Sequence, residues 1–177
     1  MRSRLAVFVL LFAACRTVGV STTAQIEWKL GGTPTAASLA VPGAGAAPLM
    51  SGQHFARLQK DGTLTLHDNG TNAGRRPRAL RFRLDLGRRT ATLVEAVEDP
   101  AVGPSLCCGS AVRLNDGRWV VSWGGESLVG EYAPGGAPIW RLSLDAGLFS
   151  YRAISIAPQN LSRAELRRAM NVLNPRR

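Results

Sequence analysis

Part of this 177-residue chain is written twice. The stretch HFARLQKDGTLTLHDNG, beginning at His54, lies over GSAVRLNDGRWVVSWGG, beginning at Gly109, at an offset of 55 residues. Ala56 falls on Ala111, Asp61-Gly62 on Asp116-Gly117, Leu64 on Trp119, Leu66 on Val121 and Gly70 on Gly125. Each copy reads as a short strand, an Asp-Gly turn that tolerates positive φ, and a second strand of alternating β-formers. The segments after each hairpin also match in kind. ALRFRLDL and TATLVEAV are joined by Gly87-Arg88-Arg89; SLVGEYA and APIWRLSL are joined by Pro134-Gly135-Gly136. Each unit is therefore predicted to hold four strands.

Fragments of the unit stand on either side. AQIEWKL (Ala24 to Leu30) resembles APIWRLSL and reads as a last strand, while FSYRAIS puts Ala153 in the place of Ala56 and Ala111. Four-stranded units repeating at this interval are the pattern of a β-propeller. A plain sandwich or meander allows the same strands, but not the repeat. The expected fold is all-β: propeller-type four-stranded blades over residues 25–160, about two and a half of them, where closed rings have roughly four to eight. Such a part-ring leaves edges that a second copy could cover. In the tail (161–177), Ser162-Arg163-Ala164-Glu165 is a capping box. Leu166, Ala169, Met170 and Leu173 then form one apolar stripe, so a short helix is expected to pack on a sheet edge before Pro175 ends it.

Composition supports a packed domain: 45% of residues are hydrophobic, and Gly (19) and Pro (10) supply turns. Three cysteines cannot staple a fold of this size. The net charge is +10, and of 22 basic residues only Lys29 and Lys60 are lysine. The arginines are scattered and aromatics are 6%, so the basic stripe with stacking platforms that nucleic acid demands is missing. Residues 1–24 read differently. Arg2 and Arg4 precede an apolar run from Leu5 to Cys15, long enough for a secretory signal and too short to span a bilayer. Export to the cell envelope or exterior is the expectation, with membrane attachment only if Cys15 is lipidated. A displaced start codon joined to a cytoplasmic domain is the alternative. Cys107 and Cys108 are either a vicinal disulfide or two small buried residues. No His or Cys cluster has metal-ligand spacing, and neither metal nor cofactor is expected.

The repeat assigns candidate chemistry. Three triplets stand at the start of the innermost strand of each unit, the position that faces a propeller's channel: His54-Phe55-Ala56, Gly109-Ser110-Ala111 and Tyr151-Arg152-Ala153. Ala is constant while its predecessors vary, as expected of a specialised site on a shared scaffold. His54 can act as nucleophile or proton shuttle, and Arg152 presents a fork of donors suited to phosphate or sulfate oxygens. Ser110 and Tyr151 can add hydrogen bonds. The competing reading makes His54 a satisfied structural residue and Arg152 an ordinary surface one. In His67-Asp68-Asn69-Gly70, Asp68 can orient His67 and Asn69-Gly70 forms a turn; turn chemistry is the first reading, and His67 and Asn69 are substrate contacts on the second. Trp28, Trp119, Trp123 and Trp140 are expected in the blade cores.

SGQHFARLQKDGTLTLHDNG, RPRALRFRLD, TATLVE, CCGSAVRL, WVVSWGG and FSYRA together resemble the C-terminal half of bacterial arylsulfate sulfotransferases, from about Gln25 onward. The resemblance implies an exported six-bladed propeller that moves a sulfuryl group from an aryl sulfate ester to a phenol. It implies a ping-pong path through a sulfohistidine, with no nucleotide donor. His54 matches a channel histidine of that family and Arg152 its oxyanion clamp. The family draws on several histidines from different blades, whereas this chain has two, His54 and His67, and carries Gly109 where the first unit has His54. Two outcomes therefore stand beside each other: an active or inactive transferase, and a non-catalytic propeller module for binding or assembly.

Overall fold

The computed structural model describes residues 17–20, 26–45, 49–157 and 159–175. Most of the leader, including Cys15, lies outside them. Within it, β1 (Thr17–Val20) pairs antiparallel with β2 (Ile26–Leu30). The two repeated units form two four-stranded antiparallel meanders. The first runs β3 (Gln53–Leu58), β4 (Thr63–Asp68), β5 (Arg78–Asp85) and β6 (Thr90–Val97). The second runs β7 (Ser110–Arg113), β8 (Trp119–Ser122), β9 (Leu128–Tyr132) and β10 (Pro138–Ser143). Neither closes into a barrel.

The repeat extends to single hydrogen bonds. In the first hairpin the Gln59 amide donates to Thr63 O, the Gly62 amide donates to Gln59 O, and Gly62 has φ +77°. In the second the Leu114 amide donates to Arg118 O, the Gly117 amide donates to Leu114 O, and Gly117 has φ +89°. Asp61 Oδ1 accepts from the amide two residues on, and Asp116 Oδ1 does the same. Only glycine takes such a φ without penalty, so each Asp-Gly fixes its turn and the turn fixes the register.

Alternation along the strands builds two cores. Leu64 and Leu66 of β4 and Leu80 and Phe82 of β5 face Trp28, Leu30, Leu39 and Met50. Ala79 and Val97 project from the opposite face of that sheet and meet Ala111, Trp119, Val121, Trp123 and Tyr132 of the second. The sheets thus share an apolar layer, tied by Glu95 on β6, which accepts from Trp119 Nε1 (2.8 Å) and Arg113 Nε (3.2 Å).

Two expectations fail. Trp140 lies on β10, every residue of which is exposed, and is itself 42% exposed rather than core. Helix α1 (Arg163–Leu173) has the expected capping box, with Ser162 Oγ accepting from the Glu165 amide and Glu165 Oε2 from the Ser162 amide. It buries no residue, however; its stripe residues Leu166, Met170 and Leu173 stay in solvent. Capping is a local property of four residues, whereas burial requires a partner that the sequence of the helix does not name.

Candidate functional site

The site grows from one register pair. His54 on β3 stands directly opposite His67 on β4, so the two imidazoles share one face of the first sheet. After His54 the ladder is interrupted until Arg57, and Phe55 takes φ 54°. A bulky residue reaches positive φ only when its surroundings compel it. Here the Phe55 ring lies 4.4 Å from the guanidinium carbon of Arg57 and 4.4 Å from that of Arg152. Cation–π attraction therefore holds Arg152 beside the residue that comes after His54. Arg152 also lies 5.7 Å from the Tyr151 ring. Phe55 is the member of this cluster that sequence reasoning passed over; the bulge that redirects it leaves no trace in composition.

The other two triplets arrive at the same place. Gly109, with φ +94°, lies against His67: a Cβ there would fall 2.5 Å from His67 Cδ2. The Gly109 amide donates to Tyr151 O (3.2 Å), and Ser110 Oγ both accepts from the Ala153 amide (2.9 Å) and donates to Ala153 O (3.2 Å). Gly109 is thus required where its counterpart is His54, because the neighbouring unit's His67 already fills the space.

His67 is completely buried and held by Asn69, also completely buried. Asn69 Nδ2 donates to Gly52 O (3.1 Å) and Cys108 O (2.9 Å), so Oδ1 must be the acceptor facing His67 Nε2 at 3.1 Å. Nε2 consequently carries the proton and Nδ1 keeps its lone pair; Nδ1 is buried with no hydrogen-bond partner among the described residues. Burial lowers the His67 pKa to about 4, with the Asn69 bond opposing and nearby His54 adding to the fall. His54 is half-buried, and burial lowers its pKa too.

Asp68 does not orient His67. Successive strand residues point to opposite faces, and Asp68 instead accepts from Arg75 (2.8 Å), Arg78 (2.7 Å) and the Ser51 amide (2.7 Å). Burial alone would raise its carboxyl; Arg78, the Ser51 amide and Arg75 hold it below its ordinary value.

Of the sequence-predicted site residues, His54 is half-open and Tyr151 and Arg152 are exposed, while His67, Asn69 and Ser110 are sealed beneath them. The arrangement presents an imidazole whose protonation burial disfavours beside permanent cations, on a floor of polar groups. Cys107 and Cys108 are free thiols, both half-buried. No protein-family model matches the chain, and no curated protein matches its sequence.

Proposed function

We propose that the two sheets are neighbouring blades of a propeller-type ring and that the chain is an arylsulfotransferase-like protein, passing a sulfuryl group from an aryl sulfate to a phenol through His54. The observation that carries this reading is the half-open His54, its pKa lowered by burial, with Arg152 clasped against Phe55 beside it. An imidazole lone pair on His54 attacks sulfur; the N–S bond forms as the S–O(aryl) bond breaks and the aryloxide leaves. The acceptor phenol oxygen then attacks the same sulfur as the N–S bond breaks, its proton ends on the expelled aryloxide, and the imidazole is returned. Arg152 supplies charge-assisted donors to the non-bridging oxygens, where charge accumulates. His67 is too deeply buried to meet an ester and serves as a neutral floor under His54.

The test is turnover of a chromogenic aryl sulfate with added phenol by the purified chain, with solution mass read on the same sample. His54→Ala should abolish phenol-dependent turnover while circular dichroism is unchanged, and Arg152→Lys should lower it about 100–1,000-fold, the scale of one lost transition-state donor. Undiminished turnover in His54→Ala, or none in the folded parent protein, overturns the reading. A second reading, an assembly module, has its own observation: β10 is an edge strand exposing Ile139, Trp140 and Leu142. Self-association lost on Trp140→Lys, without turnover, would select it.

A further inference from the structure

Cys107 and Cys108 stand outside the reaction just described, yet their backbone is built into the His67 floor. Cys107 O accepts from Ser105 Oγ (3.1 Å), and Ser105 Oγ accepts from the Gly125 amide (3.0 Å). Cys108 O is one of the two carbonyls that fix the Asn69 amide, and the next residue is the Gly109 that presses on His67. Cys108 itself has φ 66°, a conformation that a non-glycine residue holds only under constraint. We propose that Cys107–Cys108 is a thiol–disulfide exchange site, and that closing it withdraws the Cys108 carbonyl from Asn69 and frees the His67 ring from its single tautomer.

The geometry gives the direction. Adjacent Cα atoms are about 3.8 Å apart, short of the roughly 4.4–6.8 Å that a disulfide ordinarily bridges, so the ring closes only if the backbone between the two residues turns. Both carbonyls in that stretch are occupied, and Gly124 packs against the Cys107 carbonyl with no room for a Cβ. Movement therefore passes to Asn69 rather than being absorbed locally. A strained ring is also an easily reduced one, as a reversible site requires. The partner is a low-molecular-weight disulfide, RSSR. The Cys107 thiolate attacks one sulfur, forming a mixed disulfide and expelling RS⁻. Cys108 loses its proton and attacks the Cys107 sulfur, forming the Cys107–Cys108 bond and expelling the second RS⁻. The two thiol protons end on two RSH, so the protein pair is oxidised by two electrons and the reagent reduced by two. Burial, and then the hydrogen bond with Cys107, push the Cys108 thiol up to about 11, which leaves little thiolate and makes the ring-closing attack the slow, pH-dependent step.

The experiment uses the full chain with Cys15→Ser, leaving this pair as its only thiols, in glutathione buffers of increasing oxidised fraction. Intact mass and the ¹⁵N signals of His67, assigned with His54→Gln, are read together; neither depends on turnover. Oxidation should remove two hydrogens and shift His67 from the Nε2–H form to a mixture, reversibly. Cys108→Ser and Cys107→Ser should each leave His67 in the Nε2–H form in both buffers. A stable glutathione adduct without ring closure, a disulfide between two chains, no reaction, or a closed ring with unchanged His67 signals would each overturn the proposal.

Discussion

At the scale of the residue, His67 and Asn69 set the behaviour of the site. A histidine whose folded pKa lies near 4 against an ordinary 6.5 stays neutral in the fold and charges in the unfolded chain between those values. The unfolded state then binds more protons, so stability rises with pH across the window from 4 to 6.5 and is level above it. The contribution is complete above pH 6.5 and is lost as pH falls, by about 3 kcal/mol at most. Urea unfolding at pH 7 and pH 4.5 should show this loss in the parent protein and a much smaller one in His67→Gln; equal losses would deny His67 the role. None of this is legible in HDNG, which reads as a turn. The acceptors that lock Asn69 come from Gly52 and Cys108, 17 and 39 residues away. The sequence names the donor and is silent about which carbonyls reach it.

Elements were the most readable level, because strands and Asp-Gly turns are encoded within a few residues of themselves. The eight repeated strands, the hairpin registers and the helix cap all obey local rules, and the structure reproduces them. Legibility ends where elements meet. Asp99, in the connection after β6, is 1% exposed and accepts from Tyr132 Oη (2.6 Å) on β9 and from Arg141 Nε and Nη2 (2.7 and 2.9 Å) on β10. Trp123 Nε1 donates in turn to Tyr132 Oη (2.7 Å). Burial would raise the Asp99 carboxyl, but Arg141 and Tyr132 outweigh it and hold the group below its ordinary value. Tyr132→Phe removes one hydroxyl and strands two buried partners, the Trp123 donor and one Asp99 bond. It should cost about 2–4 kcal/mol in chemical denaturation, set by the desolvation of unpaired polar groups. A loss below about 0.5 kcal/mol would show that water replaces the hydroxyl.

For the whole molecule, the shared apolar layer makes two repeats into one folding unit. Ala79 and Val97 are covered by the second sheet's Trp119, Val121, Trp123 and Tyr132, so the second sheet has no core without the first, and the first has one face laid bare without the second. Trp119→Ala should therefore lower protection from hydrogen exchange in β4 and β5 as much as in β8 and β9, by about 3–5 kcal/mol, the usual cost of emptying a buried tryptophan site. Loss confined to the second sheet would mean two independent units. The burial of the indoles has a spectroscopic corollary. Trp119 and Trp123 are fully sealed and Trp28 nearly so, while Trp140 on β10 stands in water with Nε1 donating to Glu131 Oε2. Intrinsic fluorescence thus divides into a shielded, blue-shifted population and a single quencher-accessible emitter on the open edge strand, giving the protein a built-in optical label at a sheet edge where another strand could dock.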